Sequence, residues 1–548
     1  METGSTTAEG QALLRGRLTG RSIAMGFLGS LLLSTSTPWP VGSTERVEVK
    51  IDGVVLPVSV EELGAFVRSP TADPVQLSRS ELSTWMGLLA PESRQGLIRL
   101  LKAPILSRRS FGSQLLSSWG AGPLLDALGE LIRVEDGQRI DRSLVLSTLE
   151  ELLERQEIVS TLDVLEALPT QQLRLDLDAL VAAATRWRLD LQRHQTLMRA
   201  LAQKEAGLQS LNGTESFISA ESPRQSTLAV DHRPGPLLVE RWIPQSPRED
   251  RIWILMMPGL GGDPNHFHWL ARSLMQAGWP VALLEHPGSD AAAVQALLDG
   301  RQSFDGAAAL RERLADLAAV LDAQRRGELN IPGTEVVLMG HSLGALTGLL
   351  AGGAVLVPGM GKRCEGALVG LPLTNLSELL QCELAAGRAL EVNAMASQPR
   401  AVVGLNSFGG LIWPHPSNKA LPIPMLMVGG TLDLITPPLD EQLPLLAGLS
   451  KHPSSRVVVV EGASHFSPIR VDGQGKASEG DDLFQLSEEL VGVNPLSVQR
   501  VIAHEVIRFL DALSSESPRN DAVHLMEASS KTRWHRLGRR PALQLLDQ

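Results

Sequence analysis

The chain predicts an α/β fold, a mainly parallel sheet covered by helices on both faces, preceded by a small, mostly helical domain with a β-hairpin. Three observations carry this. Short β-branched runs alternate with helical stretches over residues 237–460, leucines recur at helix spacing over residues 82–165, and one apolar run ends in a glycine-serine-glycine turn that opens a helix.

That turn follows Val336-Val337-Leu338-Met339 and reads Gly340-His341-Ser342-Leu343-Gly344, after which the small-residue helix 345–354 begins. In a G-x-S-x-G turn between a buried strand and a helix the serine takes a strained backbone, and only glycine fits at positions 340 and 344. The hydroxyl then stands at the carboxyl edge of the sheet, where open α/β sheets place their ligands. A serine hydroxyl is a weak nucleophile, so it needs a histidine base and a carboxylate that orients the base, here in the chain order Ser, Asp/Glu, His.

Both lie downstream. The apolar stretch 423–428 ends in Gly429-Gly430-Thr431-Leu432-Asp433, which places Asp433 just past a strand end. The β-branched run 457–460 ends in Glu461-Gly462-Ala463-Ser464-His465, so His465 sits on the loop after the next strand. Glu461 is the weaker candidate acid, because only four residues before His465 it would have to fold back sharply. The oxyanion of such a reaction needs backbone donors. Leu343 supplies the first, and the glycine loop Pro258-Gly259-Leu260-Gly261-Gly262 after the run Ile252–Met257 supplies the second, with Leu260 first and Gly261 next.

The remaining strands are Leu237–Trp242, Val281–Leu284 and Ala401–Leu405, with a helix over 308–323 between two of them. Ala401–Leu405 leads into Asn406-Ser407-Phe408-Gly409-Gly410, a second serine-glycine sequence. Leu405 occupies the first glycine's place and no helix follows, so this is one more sheet strand, with Ser407 or Phe408 at the pocket edge. His266, Phe267, His341 and Phe408 are the candidate pocket residues, against the plainer reading that these are packing residues; His268 stands beside them. With Trp269, Ile412 and Trp413 they suggest an apolar acyl site, suited to lipid-like or short aliphatic esters rather than sugars.

The domain boundaries expected are a leader over 1–43, a helical N-terminal domain over 44–185 with an Asp52-Gly53 hairpin turn, and a long helix and linker over 186–235. The catalytic domain spans 236–513 with a pocket cover at 361–398, and a basic tail spans 514–548. The leader carries Arg15, Arg17 and Arg21, an apolar core over 23–33 and a small-residue exit. This is the order of an export signal peptide, with a retained membrane anchor as the alternative and a cytoplasmic location if the start is misassigned. Cys364 and Cys382 are the only cysteines; an even pair in an exported chain suggests a disulfide, with two buried thiols as the alternative.

A net charge of -11 argues against nucleic-acid binding. The single basic cluster, Lys531, Arg533, Arg536, Arg539 and Arg540, reads as a solvated tail, or else as a contact for an anionic partner or membrane surface. The glycine loop does not fit a dinucleotide fingerprint, and neither a phosphate loop nor H-E-x-x-H occurs, so no metal and no cofactor is implied.

Over roughly residues 45–510 the chain resembles bacterial dienelactone-hydrolase-like α/β-hydrolases that carry an uncharacterised helical N-terminal domain and are related to platelet-activating-factor acetylhydrolases. The likeness rests on the 258–262 loop, the 340–344 turn, Leu380-Gln381-Cys382, Gly430-Thr431-Leu432-Asp433 with Thr436-Pro437, and Ser464-His465-Phe466-Ser467. It implies an α/β-hydrolase fold, Ser342, Asp433 and His465 as nucleophile, acid and base, and both cysteines in the pocket cover. Serine stands where dienelactone hydrolases use cysteine. The expected activity is carboxylic-ester hydrolysis through an acyl-enzyme, without a named protein partner; the alternatives are an acyltransferase using the same acyl-enzyme and a non-catalytic binding protein on this fold.

Overall fold

Strands that run directly into helices organise both halves of the molecule. The computed structural model describes residues 44–51, 54–68, 101–102, 104–107, 132–134, 140–211, 222–249, 251–298, 305–369, 372, 374–385, 398–415, 420–469, 494–513 and 522–547. The leader over 1–43, the Asp52-Gly53 turn, most of the leucine repeats before residue 132 and the end of the cover lie outside the described residues.

In the N-terminal part, β1 (Arg46–Ile51) and β2 (Val54–Ser59) form the expected hairpin. With β4 (Ile132–Val134) and β6 (Gln172–Asp176) they make a sheet of order β2-β1-β6-β4, while β3 (Pro104–Ser107) pairs with β5 (Ile158–Ser160). The helices among the described residues are α1 (Val60–Arg68), α2 (Arg142–Arg155), α3 (Thr161–Ala167) and α4 (Leu177–Ala202). Three strands pass straight into a helix, β2 to α1, β5 to α3 and β6 to α4. Ser59 Oγ accepts the Glu62 N–H, and Ser160 and Asp163 cap α3 reciprocally, so the unpaired first-turn donors are satisfied by the strand's last residue. Among the described residues strands and helices thus alternate here, while most of the leucine-rich stretch expected to be helical lies outside them. Three-residue strands are too short to show a period of two, and their leucines and valines merge into the helical pattern.

The large sheet has eleven strands: β7 (Gly207–Gln209), β8 (Arg224–Leu228), β9 (Leu237–Trp242), β10 (Ile252–Met257), β11 (Val281–Leu284), β12 (Glu335–His341), β13 (Ala401–Leu405), β14 (Met425–Gly430), β15 (Arg456–Val460), β16 (Val523–Glu527) and β17 (Arg533–Leu537). Their order is β7-β16-β17-β15-β14-β13-β12-β10-β11-β9-β8, and the six from β11 to β15 are mutually parallel. Among the described residues nine helices accompany it: α5 (His268–Gln276), α6 (Ala291–Leu298), α7 (Gly306–Arg325), α8 (Leu343–Ala351), α9 (Met360–Val369), α10 (Ser377–Ala385), α11 (Gln442–Leu449), α12 (Pro495–Leu513) and α13 (Arg539–Leu546).

Alternate strand residues serve opposite cores. Ile254, Met256, Val403, Leu405, Val458 and Val460 pack with α5 and α12, whereas Leu255, Met257, Val402, Met427, Val457 and Val459 pack on the other face with α7, α8 and α11. Because both faces are covered, these strands are continuously apolar. From β10 the chain first builds β11 on one side and later returns to build β12 on the other. This is a switch point, and it opens a crevice at the carboxyl ends of β10 and β12.

Two expected boundaries change. The linker after α4 supplies edge strands at both ends of the sheet, β7 beside β16 and β8 beside β9. The basic tail is a folded hairpin, β16 and β17, antiparallel to β15 and followed by α13. Its cations are used internally: Arg536 pairs with buried Glu505 at 2.7 Å, Arg533 with Glu461 at 3.3 Å, and Arg539 donates to the Ala447 carbonyl. Counting charges hides the strand in Arg533-Trp534-His535-Arg536-Leu537, where Trp534 and Leu537 are fully buried in the two opposite apolar layers. Trp534→Ala should cost about 3–5 kcal/mol in chemical denaturation; a loss below about 1 kcal/mol would show that the hairpin adds no core.

Candidate active site

Ser342 caps α8 with φ 51° and ψ -118°, one residue past the end of β12. A Cβ on Gly340 would lie 2.2 Å from the Gly344 carbonyl carbon, and one on Gly344 would lie 2.2 Å from the Met257 carbonyl oxygen. Only glycine permits this approach, and it is what forces the serine onto the left-handed side of the backbone map, at a cost of order 1–3 kcal/mol. The Ser342 N–H is tied to the Leu405 carbonyl at 2.9 Å.

Asp433 follows β14 and is buried in a complete cradle. Its Oδ1 accepts the Ile435 and Thr436 N–H groups at 2.8 and 2.7 Å. Its Oδ2 accepts the Thr436 hydroxyl at 2.6 Å, Asn406 Nδ2 at 2.7 Å and His465 Nδ1 at 3.0 Å. Burial works against ionisation, but the His465 charge and these donors outweigh it and hold the carboxyl at about 2. With Nδ1–H committed to Asp433, Nε2 is the basic nitrogen of His465. Glu461, the weaker candidate acid, is instead bonded to His535 and Arg533.

The structure therefore brings Asp433 and His465 together. It brings Ser342 to the same end of the sheet: His341 Nε2 donates to the His465 carbonyl at 3.0 Å, and the two imidazole centroids are 4.8 Å apart. The Ser342 hydroxyl itself makes no hydrogen bond to a described residue, the imidazole included. The amides of Leu343 and Leu260 likewise have no partner among the described residues. Gly261, the second candidate of the glycine loop, is excluded as a free donor because its N–H is bonded to the Ser289 carbonyl at 2.9 Å.

The pocket residues fall differently from expectation. Phe267 and Trp269 are fully buried in the core under α5 and α12, and Phe408, Ile412 and Trp413 in the core on the opposite face, so these five fill the two apolar layers rather than one open acyl site. His266 Nδ1 accepts the Asp263 N–H within its own turn. His268 pairs with Glu240 and packs edge-on against Trp242. His341 touches the site, with the Phe267 ring tilted against it at 5.7 Å. Burial pushes its imidazole down to about 3, and its Nδ1 is buried without a partner among the described residues, 3.1 Å from where a Cβ on Gly259 would lie. Ser407 is buried with its hydroxyl on Met427, away from any catalytic arrangement.

Several site residues escaped the sequence reading. Asn406, with φ 47°, ends β13 and reaches Asp433; Asp433-x-x-Thr436 is a local turn pattern whose side chain folds back on its own backbone. Glu441 is fully buried and accepts from Asn375, Ser377 and Gln381 of the cover and from the Gly409 and Gly410 amides at 2.7 and 2.8 Å, which fastens cover to sheet. Cys364 and Cys382, by contrast, were already read as a disulfide pair, and the bond between them links α9 to α10.

A cavity of about 260 Å³ lies between α4 and the cover, lined among others by Arg186, Asp190, Arg193, Glu378 and Asp440. Glu378 has its carboxyl pushed up to about 8, by burial first and then by Glu441, Asp440 and Asp190.

Residues 43–176 match the model of a family described as an alpha/beta hydrolase of unknown function (DUF1400). The match falls on the N-terminal part, ahead of the eleven-stranded sheet. Comparison with curated proteins finds no match.

Glu378 gives a pH prediction for the cover. The native carboxyl titrates near 8 and the unfolded one near its usual 4.5, so between these values the folded chain keeps a proton that the unfolded chain has released, and stability falls as pH rises through that window. Glu378→Gln should therefore stabilise the fold at pH 8 by on the order of a few kcal/mol, seen as a higher melting temperature, and leave it unchanged at pH 4. Equal effects at both pH values in thermal unfolding would contradict this.

Proposed function

We propose that the protein is a serine hydrolase that cleaves carboxylic esters through Ser342, His465 and Asp433. The observation that carries the reading is the buried Asp433–His465 contact at 3.0 Å, on loops of adjacent parallel strands, beside a serine held at φ 51° at a strand-to-helix turn. Serine and imidazole are often not yet bonded in a resting site and align when substrate enters.

In this reading His465 Nε2 takes the hydroxyl proton as Ser342 Oγ attacks the ester carbonyl carbon. The carbonyl electron pair moves onto oxygen, which the Leu260 and Leu343 amides hold. Collapse of the tetrahedral adduct breaks the bond to the alcohol, and the imidazolium returns its proton to the leaving oxygen. Water then attacks the acyl-enzyme with His465 again as base, releasing the acid and restoring Ser342. Asp433 remains ionised throughout, orienting the imidazole and stabilising its charged form. The family description of residues 43–176 as an alpha/beta hydrolase supports hydrolysis in general. The kinship with dienelactone-hydrolase-like enzymes and with platelet-activating-factor acetylhydrolases belongs to this same proposal.

Ser342→Ala should lower ester turnover by about 10⁴-fold or more, and Asp433→Asn by about 10³–10⁴-fold. Both are read from kcat/KM on p-nitrophenyl esters of graded chain length, together with loss of fluorophosphonate labelling in Ser342→Ala. Ordinary turnover by a folded Ser342→Ala variant sinks the proposal.

A further inference from the structure

Resting on the proposed acyl-transfer reading, we infer that Arg313 is the positioning residue that aims the glycine-loop amide at the reacting oxygen. Arg313 lies on α7 and is fully buried. Its guanidinium spends every hydrogen bond on one short stretch of structure: Nη1 donates to the Pro258 carbonyl at 2.7 Å, Nη2 to the Gly259 carbonyl at 2.8 Å, and Nε to the Ser289 hydroxyl at 2.8 Å, with a longer contact from Nη2 to the Ser289 carbonyl at 3.4 Å.

The consequence follows from peptide geometry. In a planar trans peptide the C=O of one residue and the N–H of the next point in opposite directions. Holding the Pro258 and Gly259 carbonyls against Arg313 therefore turns the Gly259 and Leu260 N–H groups away from α7. Gly259 is at the nucleophile: a Cβ there would lie 3.1 Å from Ser342 Cβ. Ser289 closes the arrangement from the other end of the loop, since its carbonyl takes the Gly261 N–H and leaves the Gly259 and Leu260 amides without a partner among the described residues.

The residue type fits the task. A rigid planar fork reaches two successive carbonyls at once, whereas an ammonium is a single point of charge on a flexible stem. The cation is not consumed by a carboxylate. Asp316, one turn further along α7 and equally buried, accepts from His232, Arg233 and His286 instead, which fixes the helix that presents Arg313.

The test uses the full chain with Arg313→Lys and Ser289→Ala. Active sites are counted by exhaustive fluorophosphonate labelling, after which kcat and KM are measured on a p-nitrophenyl ester, with inhibition by a trifluoromethyl ketone whose adduct places an oxyanion in the same position. Arg313→Lys should lower kcat per labelled site by about 10²-fold, with KM changed less than about threefold and the ketone inhibition constant rising in step with the loss of kcat/KM. Ser289→Ala should show the same pattern at about three- to tenfold. A merely structural role would lower the labelled fraction while each labelled site kept its kcat and its ketone affinity, and that result overturns the inference. If Arg313→Lys does not fold, unchanged kcat and ketone affinity in folded Ser289→Ala overturns it equally. Full turnover by Ser342→Ala would instead remove the underlying reading, so the two failures are distinct.

Discussion

The close approach of α8 to the end of β10, possible only with glycine at 340 and 344, is the constraint on which the site depends. It fixes more than the serine. The Ser342 amide is drawn onto the Leu405 carbonyl, so the elbow is stitched to β13; Asn406, the next residue, bonds through its own amide to Val428 of β14 and through its side chain to Asp433. Thr431 then bonds to Val460, and Leu432 to Ala463. The carboxyl ends of β12, β13, β14 and β15 are thus laced in sequence by backbone hydrogen bonds. A displacement of the elbow would travel along this row to the imidazole, because each strand end is the support for the next.

Three buried carboxylates show how environment separates roles. Asp433 faces an imidazole that can become charged and is held well below the usual carboxylate range. Asp316 has Arg233 and two imidazoles against it and is depressed further still. Glu441 meets only neutral amides and a hydroxyl, and burial pushes it upward. The first is suited to stabilising a transient positive charge, the second to anchoring a permanent one, and the third to fastening a cover without an ion pair.

The strand-to-helix turn at Ser342 and the loops that carry Asp433 and His465 were legible because each follows an apolar strand and each carries its own local mark: two glycines, an aspartate shortly after Gly-Gly, a histidine after a β-branched run. The strands expected within the large sheet form, with β14 shifted two residues onward from the expected 423–428. What was not legible depends on partners far apart in the chain. Arg313 and Asp316 look like ordinary helix charges until the Pro258 loop and the 232–233 segment are folded against them. Gly261 could not be set aside before Ser289 was placed beside it. The aromatics near the catalytic loops suggested a pocket, yet alternate residues of a sheet covered on both faces go to different cores, and the sequence does not say which face a loop aromatic will join. The closing hairpin was hidden because its cations are satisfied internally by Glu505 and Glu461, partners that charge counting cannot supply.

The N-terminal part is joined to the site through α4 rather than through a free tether. Leu197 and Leu201 near the end of α4 belong to the same apolar cluster as Leu343, Leu346 and Phe408, while His194 and Arg193 engage Asp440 at 2.6 and 3.5 Å. Asp440 precedes Glu441, the residue that holds the cover and the 409–410 loop. Further back along α4, Arg186 meets the Gly366 carbonyl and Asp190 meets Thr374, both on the cover. The strand-helix module that bears the family match is therefore followed by a helix that contacts Gly366 and Thr374. Hydrophobic burial fixes the end of that helix nearest the sheet, and polar contacts fix its middle.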